Sequence, residues 1–206
     1  MAIRALFVDI GGVLEVSADG REPTFAFEAI IAAWERRLSL DEGKLLAWLE
    51  SKSEAGLVGA ITYEDWRAGL CALMPSVDLE SFLADFWRVY LGSLNGELAM
   101  WLRAQRPRFK TALLSNSFVG AREAEEARYG FSDLTDDIVY SHEVGVAKPD
   151  RRIYEIACER LGVAPAEAVL LDDVPSYLEG ATAAGMKTVR FRDNESAIAA
   201  LESICR

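Results

Sequence analysis

Cysteine and histidine are scarce in this chain. Cys71, Cys158 and Cys205 are few, odd in number and far apart, and the single histidine, His142, stands at no metal-ligand spacing from any of them. A disulfide framework and a zinc site are thereby excluded as the basis of the fold. Positive charge is also in deficit: 22 Lys and Arg face 33 Asp and Glu, a formal charge of -11 on 206 residues. Phosphate backbones and anionic lipid repel such a chain, so neither a nucleic acid nor a membrane is an expected partner. No apolar run approaches the ~18 residues that suggest a membrane span. The stretch from Met1 to Val8 is too short for a secretory leader and meets Asp9 at once, which makes the cytoplasm the expected location. Internal repeats and linkers rich in Pro, Gly or Ser are absent too. Apolar residues, by contrast, are plentiful at 51%, with 27% charged, enough for a packed core. At roughly 100–200 residues per domain, the length suits one full domain plus an insert.

Ala5 to Ile10 is a short apolar run stopped by Gly11 and Gly12, the pattern of a buried strand that ends abruptly. Phe27, Ile30, Ile31, Trp34 and Leu38 recur at the spacing of one helix face. Ser39 with Glu42 has capping-box spacing and predicts a second helix carrying Leu45, Leu46, Trp48 and Leu49. Thr62 with Asp65 predicts a third helix, and Asp78 a fourth with Phe82, Phe86, Val89 and Tyr90 on one face. Between about residues 16 and 94 the pattern predicts helices and no strand. From Asn95 onward, strands are predicted over 110–114, 138–141, 168–171 and 188–191, and helices over 98–105, 121–129, 149–161, 176–184 and 195–204. Such alternation implies right-handed βαβ units and a parallel sheet covered on both faces. The expected architecture is α/β: a sheet domain built from 1–15 and 95–206, with an all-helical insert over 16–94 after the first strand.

Open parallel sheets bind ligands outside the carboxyl ends of their strands. The first strand delivers Asp9, Gly11 and Gly12 to that rim, and the second delivers Ser115 and Asn116. The third leads through Glu143 and Gly145 to Lys148, and the fourth delivers Asp172 and Asp173. Singly, each has an ordinary explanation as a helix cap, a turn residue or a solvated lysine. Together they bring carboxylates, a hydroxyl, an amide and an ammonium to one place.

Four of these segments resemble, in order and spacing, the motifs of the haloacid dehalogenase superfamily. They are Phe7-Val8-Asp9-Ile10-Gly11-Gly12-Val13-Leu14, Leu113-Leu114-Ser115-Asn116, Lys148-Pro149-Asp150, and Val169-Leu170-Leu171-Asp172-Asp173 with Gly180 and Gly185 beyond it. The resemblance spans nearly the whole chain and implies a Rossmann-like core with a helical cap where the insert lies. It further implies a hydrolase in which Asp9 attacks a phosphoryl group to form an aspartyl-phosphate. Mg²⁺ would be held by Asp9, the Gly11 carbonyl and Asp173, with Asp172 in an outer position. Lys148 would pair with the nucleophile and the phosphate. Ser115 and the backbone N–H groups near Gly11 and Gly12 would hold phosphoryl oxygens, and Asn116 would steady the loop or the substrate.

One departure matters. Phosphatases of the family carry a second aspartate two residues after the nucleophile, as proton donor to the leaving alcohol, and here that residue is Gly11. General acid–base catalysis is worth about 10²–10⁴ in rate. Three readings follow: a Mg²⁺-dependent phosphatase of small phosphorylated metabolites with good leaving groups or a substitute acid, a catalytically weak binding or regulatory protein of the same fold, and a 2-haloacid dehalogenase. Asp9, Asp172 and Asp173 sum to -3 against +1 from Lys148, a balance that calls for a divalent cation and favours the first. His142 has no evident partner to fix its tautomer and reads as a packing residue. Glu143 resembles a glutamate often found ahead of the lysine motif and is expected to order Lys148. Trp34, Trp48, Trp66 and Trp87 read as core of the helical insert, and Arg21 as a weak candidate for facing substrate.

Overall fold

The computed structural model describes residues 2–16, 23–75 and 78–206. The chain runs from β1 (Ala5–Val8) through β2 (Glu15–Val16) into four helices, α1 (Pro23–Leu38), α2 (Lys44–Leu57), α3 (Tyr63–Leu73) and α4 (Leu79–Leu91). It returns through β3 (Ser93–Leu94) and α5 (Gly96–Gln105) to β4 (Lys110–Ser115), α6 (Ala121–Tyr129), α7 (Phe131–Leu134), β5 (Asp137–Tyr140) and α8 (Ser141–Val144). The remainder is α9 (Arg151–Leu161), a 3₁₀ turn (Pro165–Glu167), β6 (Ala168–Asp172), α10 (Pro175–Ala183), β7 (Lys187–Arg190) and α11 (Asn194–Ile204).

Five strands form a sheet in the order β5-β4-β1-β6-β7, and every neighbouring pair is parallel. β1 lies at its centre because Ala5, Leu6, Phe7 and Val8 are buried on both faces. Leu6 and Val8 join Leu113, Val169 and Leu171 in one cluster. Ala5 and Phe7 join Ala112, Leu114 and Leu170 in another. The period-two alternation of a strand thus feeds two cores at once. All five strands point the same way, so Asp9, Ser115 and Asp172 emerge at one edge.

A third cluster belongs to α1–α4: Ile31, Trp34, Leu45, Leu49, Trp66, Leu70, Phe82 and Phe86 pack together, with Trp48, Trp87 and Phe118 against them. Of the four insert tryptophans, Trp34 and Trp66 are core and Trp48 and Trp87 pack half-buried against it. Trp66 stacks on Tyr63 and meets Phe118 edge-on, at centroid distances of 5.7 and 5.3 Å. Phe118 follows β4, so this contact joins the helices to the sheet. Burying each such ring stabilises the fold by about 1.5–3 kcal/mol through the apolar surface it takes from water.

Three local expectations are corrected. Residues 16–94 are not free of strand: β2 and β3 pair antiparallel, Glu15 with Leu94 and Val16 with Ser93. Two-residue strands carry no periodicity to read, and they pair because the two crossings between sheet and helices run side by side. Ser39 does not open α2; it sits at φ +53°. The cap comes from Glu35 near the end of α1, whose carboxylate accepts from the backbone N–H groups of Gly43 (2.9 Å), Leu45 (2.7 Å) and Leu46 (3.3 Å). Burial pushes the Glu35 carboxyl up, but these three donors outweigh it and hold it below the usual range. Finally, α9 begins after Asp150, whose side chain accepts from Arg152 N at 2.8 Å, and Pro149 lies outside the helix. The Thr62 cap stands, accepting from Asp65 N at 3.0 Å.

Glu35→Ala leaves three backbone donors at the start of α2 without their acceptor. Urea unfolding at pH 7 should show a loss of about 1–3 kcal/mol. Because the folded carboxyl lies below its ordinary 4.5, its contribution is present above that pH and lost as pH falls, so the difference between the two proteins should shrink in acid.

Candidate active site

The site starts at the turn that ends β1. Leu14 N and Glu15 N both donate to Ile10 O at 2.8 Å, and Gly12 N donates to Glu15 O at 2.8 Å. Gly12 has φ +78°, and a Cβ there would stand 2.5 Å from Asp173 Oδ2, so only glycine lets this turn close against the β6 end. Gly11 has no such constraint, since a Cβ there meets nothing within 4 Å.

Lys148 forms the centre. It is 3% exposed, and its ammonium lies 2.9 Å from Asp9 Oδ1 and 2.7 Å from Asp172 Oδ2. The third donor goes to Leu114 O at 2.9 Å, so three N–H groups meet three acceptors. The lysine backbone is clamped by Asn116, whose Oδ1 accepts from Lys148 N at 2.7 Å and whose Nδ2 donates to Lys148 O at 2.9 Å. Asp172 is fully engaged, since its Oδ1 accepts from Val174 N at 2.9 Å. Asp9 Oδ1 also accepts from Ile10 N at 2.8 Å, whereas its Oδ2 makes no hydrogen bond among the described residues. Asp173 Oδ1 is buried without any partner. Carboxylate oxygens of Asp9, Asp172 and Asp173 lie within 4.8 Å of one another.

Three carboxylates share one ammonium. Burial, with Asp172 adding to it, pushes the Asp9 carboxyl up to about 7 despite Lys148. Asp173 is raised by burial and by Asp172. Burial works against the charge on Lys148, but Asp9 and Asp172 outweigh it and hold the ammonium protonated. Such a cluster is short of positive charge, and its donor set of hard oxygens with one orphaned buried oxygen fits a divalent cation.

Beside this centre a cavity of about 380 Å³ opens between the strand ends and the helices, lined by Gly11, Ser115, Glu15, Glu125, Phe27 and Tyr90. Glu15 and Glu125 were missed by sequence reasoning. Glu15 reads there as the polar residue after Val13-Leu14, and Glu125 sits in the polar stretch Arg122-Glu123-Ala124-Glu125-Glu126, which gives no sign that one acid turns inward. Both are buried. Burial first, then Glu125, pushes Glu15 up to about 10, and burial pushes Glu125 up to about 8, although it accepts the Tyr140 hydroxyl. A larger groove of about 650 Å³ lies at the opposite end of the sheet. Its Arg4, Arg106 and Arg160 are paired with Glu167, Asp136 and Asp137, and none of the clustered acids borders it.

The structure thus brings Asp9, Gly11, Gly12, Ser115, Asn116, Lys148, Asp172 and Asp173 to one rim, with three changes to the expectations. Gly12 N–H is engaged by Glu15 O, which leaves Gly11 N–H for an incoming oxygen. Glu143 pairs with Arg122 rather than ordering Lys148. His142 does have a partner: its Nδ1 lies 3.0 Å from Ser117 Oγ, in contact with neither Asp9 nor Lys148. Arg21 falls outside the described residues.

A central parallel sheet with an acidic, lysine-braced centre at its strand ends, covered by helices, defines a doubly wound α/β protein with a helical insert. The chain belongs to the haloacid dehalogenase-like hydrolase family, whose model matches residues 3–185. It is 28% identical over 230 residues to bifunctional epoxide hydrolase 2 of Sus scrofa, a match that covers 99% of this chain but 39% of that protein. A glyceraldehyde 3-phosphate phosphatase of Methanopyrus kandleri is 36% identical over 86 residues, covering 41% of this chain and 36% of that protein. The chain therefore spans well under half the length of the epoxide hydrolase, and the stretch matched to the phosphatase well under half of either chain. Among solved structures, a HAD family enzyme of Bacteroides thetaiotaomicron superposes with a TM-score of 0.79 at 21% identity, covering 98% of this chain and 99% of that one. The same protein has been solved with magnesium and inorganic phosphate. Among the described residues, no helix is long and apolar enough to cross a membrane.

Removing Lys148 tests the charge arrangement directly. Lys148→Met leaves Asp9 and Asp172 buried with no cation, and urea unfolding at pH 8 without divalent cations should lose about 3–5 kcal/mol. The exposed Lys187→Met should stay within about 0.5 kcal/mol of the parent.

Proposed function

We propose that this chain is a Mg²⁺-dependent phosphatase of small phosphorylated metabolites, acting through an aspartyl-phosphate on Asp9. The observation that carries the reading is the division of labour among the carboxylates. Asp9 has one oxygen held and one open, Asp172 has both engaged, and Asp173 has one buried and orphaned. Asp9, Asp173 and the Gly11 carbonyl would hold the ion, with Asp172 behind them holding Lys148. When bound, Mg²⁺ offsets the negative charge of nucleophile and phosphate, without which a carboxylate does not attack a dianion.

Asp9 Oδ2 attacks phosphorus and the ester oxygen departs; water then releases phosphate from Asp9. Lys148 holds Asp9 Oδ1, which fixes the other oxygen toward the cavity. The Ser115 hydroxyl and the Gly11 N–H meet phosphoryl oxygens, while the Lys148 ammonium, its three donors already taken, offsets their charge from beside Asp9. Residues 16–94 act as a cap over the core of 1–15 and 95–206, and their cavity-facing side selects the leaving group. The M. kandleri phosphatase and the magnesium and phosphate complex of the Bacteroides enzyme support this reading. An (S)-2-haloacid dehalogenase of Pseudomonas is 36% identical over 86 residues, but the orphaned Asp173 oxygen favours a metal-assisted reaction. The deciding experiment is a panel of phosphate esters with and without Mg²⁺, with 2-haloacids alongside. Phosphate release that requires Mg²⁺ and vanishes in Asp9→Asn is expected. Halide release without metal, or no turnover of any ester, overturns the reading.

Gly11 generates a second expectation. With no acid at that position, the leaving oxygen departs carrying its own charge, so rates across an ester series should fall steeply as leaving-group pKa rises. The open space at Gly11 and its ordinary φ accept an aspartate without strain. Gly11→Asp should raise kcat on alkyl phosphates by about 10-fold or more, within the 10²–10⁴ that acid–base catalysis supplies, and flatten that dependence. Steady-state kinetics over aryl and alkyl phosphates checks both.

A further inference from the structure

The cavity beside Asp9 holds two acids that the proposed phosphatase chemistry does not use. Glu15 begins β2, where the chain leaves the sheet for the helices, and Glu125 lies on α6 below it. Glu15 is 7% exposed, and its Oε1 is buried without any hydrogen-bond partner although it lines the cavity. Glu125 has one oxygen, Oε2, taken by the Tyr140 hydroxyl. Neither acid forms an ion pair among the described residues. Arg128, which acts on Glu15, donates instead to Tyr129 Oη at 3.0 Å and to Gly92 O at 3.4 Å, and Arg122, which acts on Glu125, is bonded to Glu143 and to Ile138 O. An unmet buried acceptor costs stability, and a fold that needed only an apolar wall here would be served better by leucine. Among the described residues that line the cavity none is cationic, and Gly11 and Ser115, proposed above to receive the phosphoryl group, line it as well. The space therefore combines phosphate donors with unmatched carboxyl groups.

We propose that Glu15 and Glu125 form a subsite for an ammonium group on the leaving alcohol, so that the substrates are phosphomonoesters of small amino alcohols. The inference rests on the phosphatase reading for its phosphoryl end. An ammonium supplies three donors and one positive charge to a wall that has acceptors and no cation, and its charge favours the ionised form of both acids. An anionic leaving group, such as a carboxylate, gains no such charge pairing there. A cavity of about 380 Å³ lies at the small end of ligand sites, which limits the alcohol to a few carbon atoms.

Binding, read separately from turnover, tests the subsite. The probes are 2-aminoethylphosphonate, 2-hydroxyethylphosphonate and ethylphosphonate, which share a non-hydrolysable phosphorus end, titrated calorimetrically with Mg²⁺ present. The aminoethyl compound should bind at least about 10-fold tighter than the ethyl compound to the parent protein, and Glu15→Gln, Glu125→Gln and the double variant should erase that preference. Equal affinities in the parent protein overturn the proposal whether or not the variants fold. A preference that survives the double variant, or a larger Glu15 dependence for the hydroxyethyl compound, overturns it as well. If the preference is found but no phosphate ester is hydrolysed, the phosphatase reading fails while the subsite stands. If esters are hydrolysed and the preference is missing, the subsite alone fails.

Discussion

The buried ammonium of Lys148 is the interaction on which the rest of the site depends. It is the one cation among three clustered aspartates, and all three of its donors are committed, to Asp9, Asp172 and Leu114 O. A charge buried this deeply persists only with complete hydrogen bonding. Its partners come from three neighbouring strands, β1, β4 and β6, so the sheet must be assembled before the ammonium can be satisfied. The lysine in turn restrains the ends of those strands, where the chemistry lies.

Asymmetry among the carboxylates follows from this arrangement. Asp172 is fixed on both oxygens by Lys148 and Val174 N, whereas Asp9 and Asp173 each keep an oxygen that the protein leaves unmatched. The turn at Gly12 is what brings Asp173 within reach, because any side chain there would occupy the space of its carboxylate. Packing, rather than residue type, separates three aspartates of identical intrinsic chemistry into one with both oxygens engaged and two that, among the described residues, keep an unmatched oxygen. An ion bound there would offset the burial, and the repulsion from Asp172, that push Asp9 up to about 7.

The helical layer has its own core and meets the sheet layer at Phe118, which packs against Trp66 and donates its N–H to the Tyr90 hydroxyl at 3.1 Å, and at Ser141, whose hydroxyl donates to Leu57 O at 2.7 Å. Its entry and exit strands, β2 and β3, pair with each other rather than with the main sheet. Glu15 stands at that junction. The acid that lines the cavity is thus also the residue at which the chain passes from one layer to the other, which ties the shape of the cavity to the placement of the helices.

Much of this was legible in the sequence, because strands, helices and glycine turns leave local signatures. The apolar run ending at Asp9, the helical spacing of Phe27 to Leu38, and the alternation after Asn95 depend only on backbone geometry, which repeats along the chain. Parallel alternation then sends Asp9, Ser115, Lys148 and Asp172 to one edge by topology alone. The tertiary structure decided what has no local period: that Glu35 rather than Ser39 caps α2, that β2 meets β3, that the Asn116 amide closes on the Lys148 backbone, and that Glu143 serves Arg122. It decided the fate of Glu15 and Glu125 as well. A glutamate's burial, its partners and the charge it faces belong to the residues folded around it, and those arrive from distant parts of the chain.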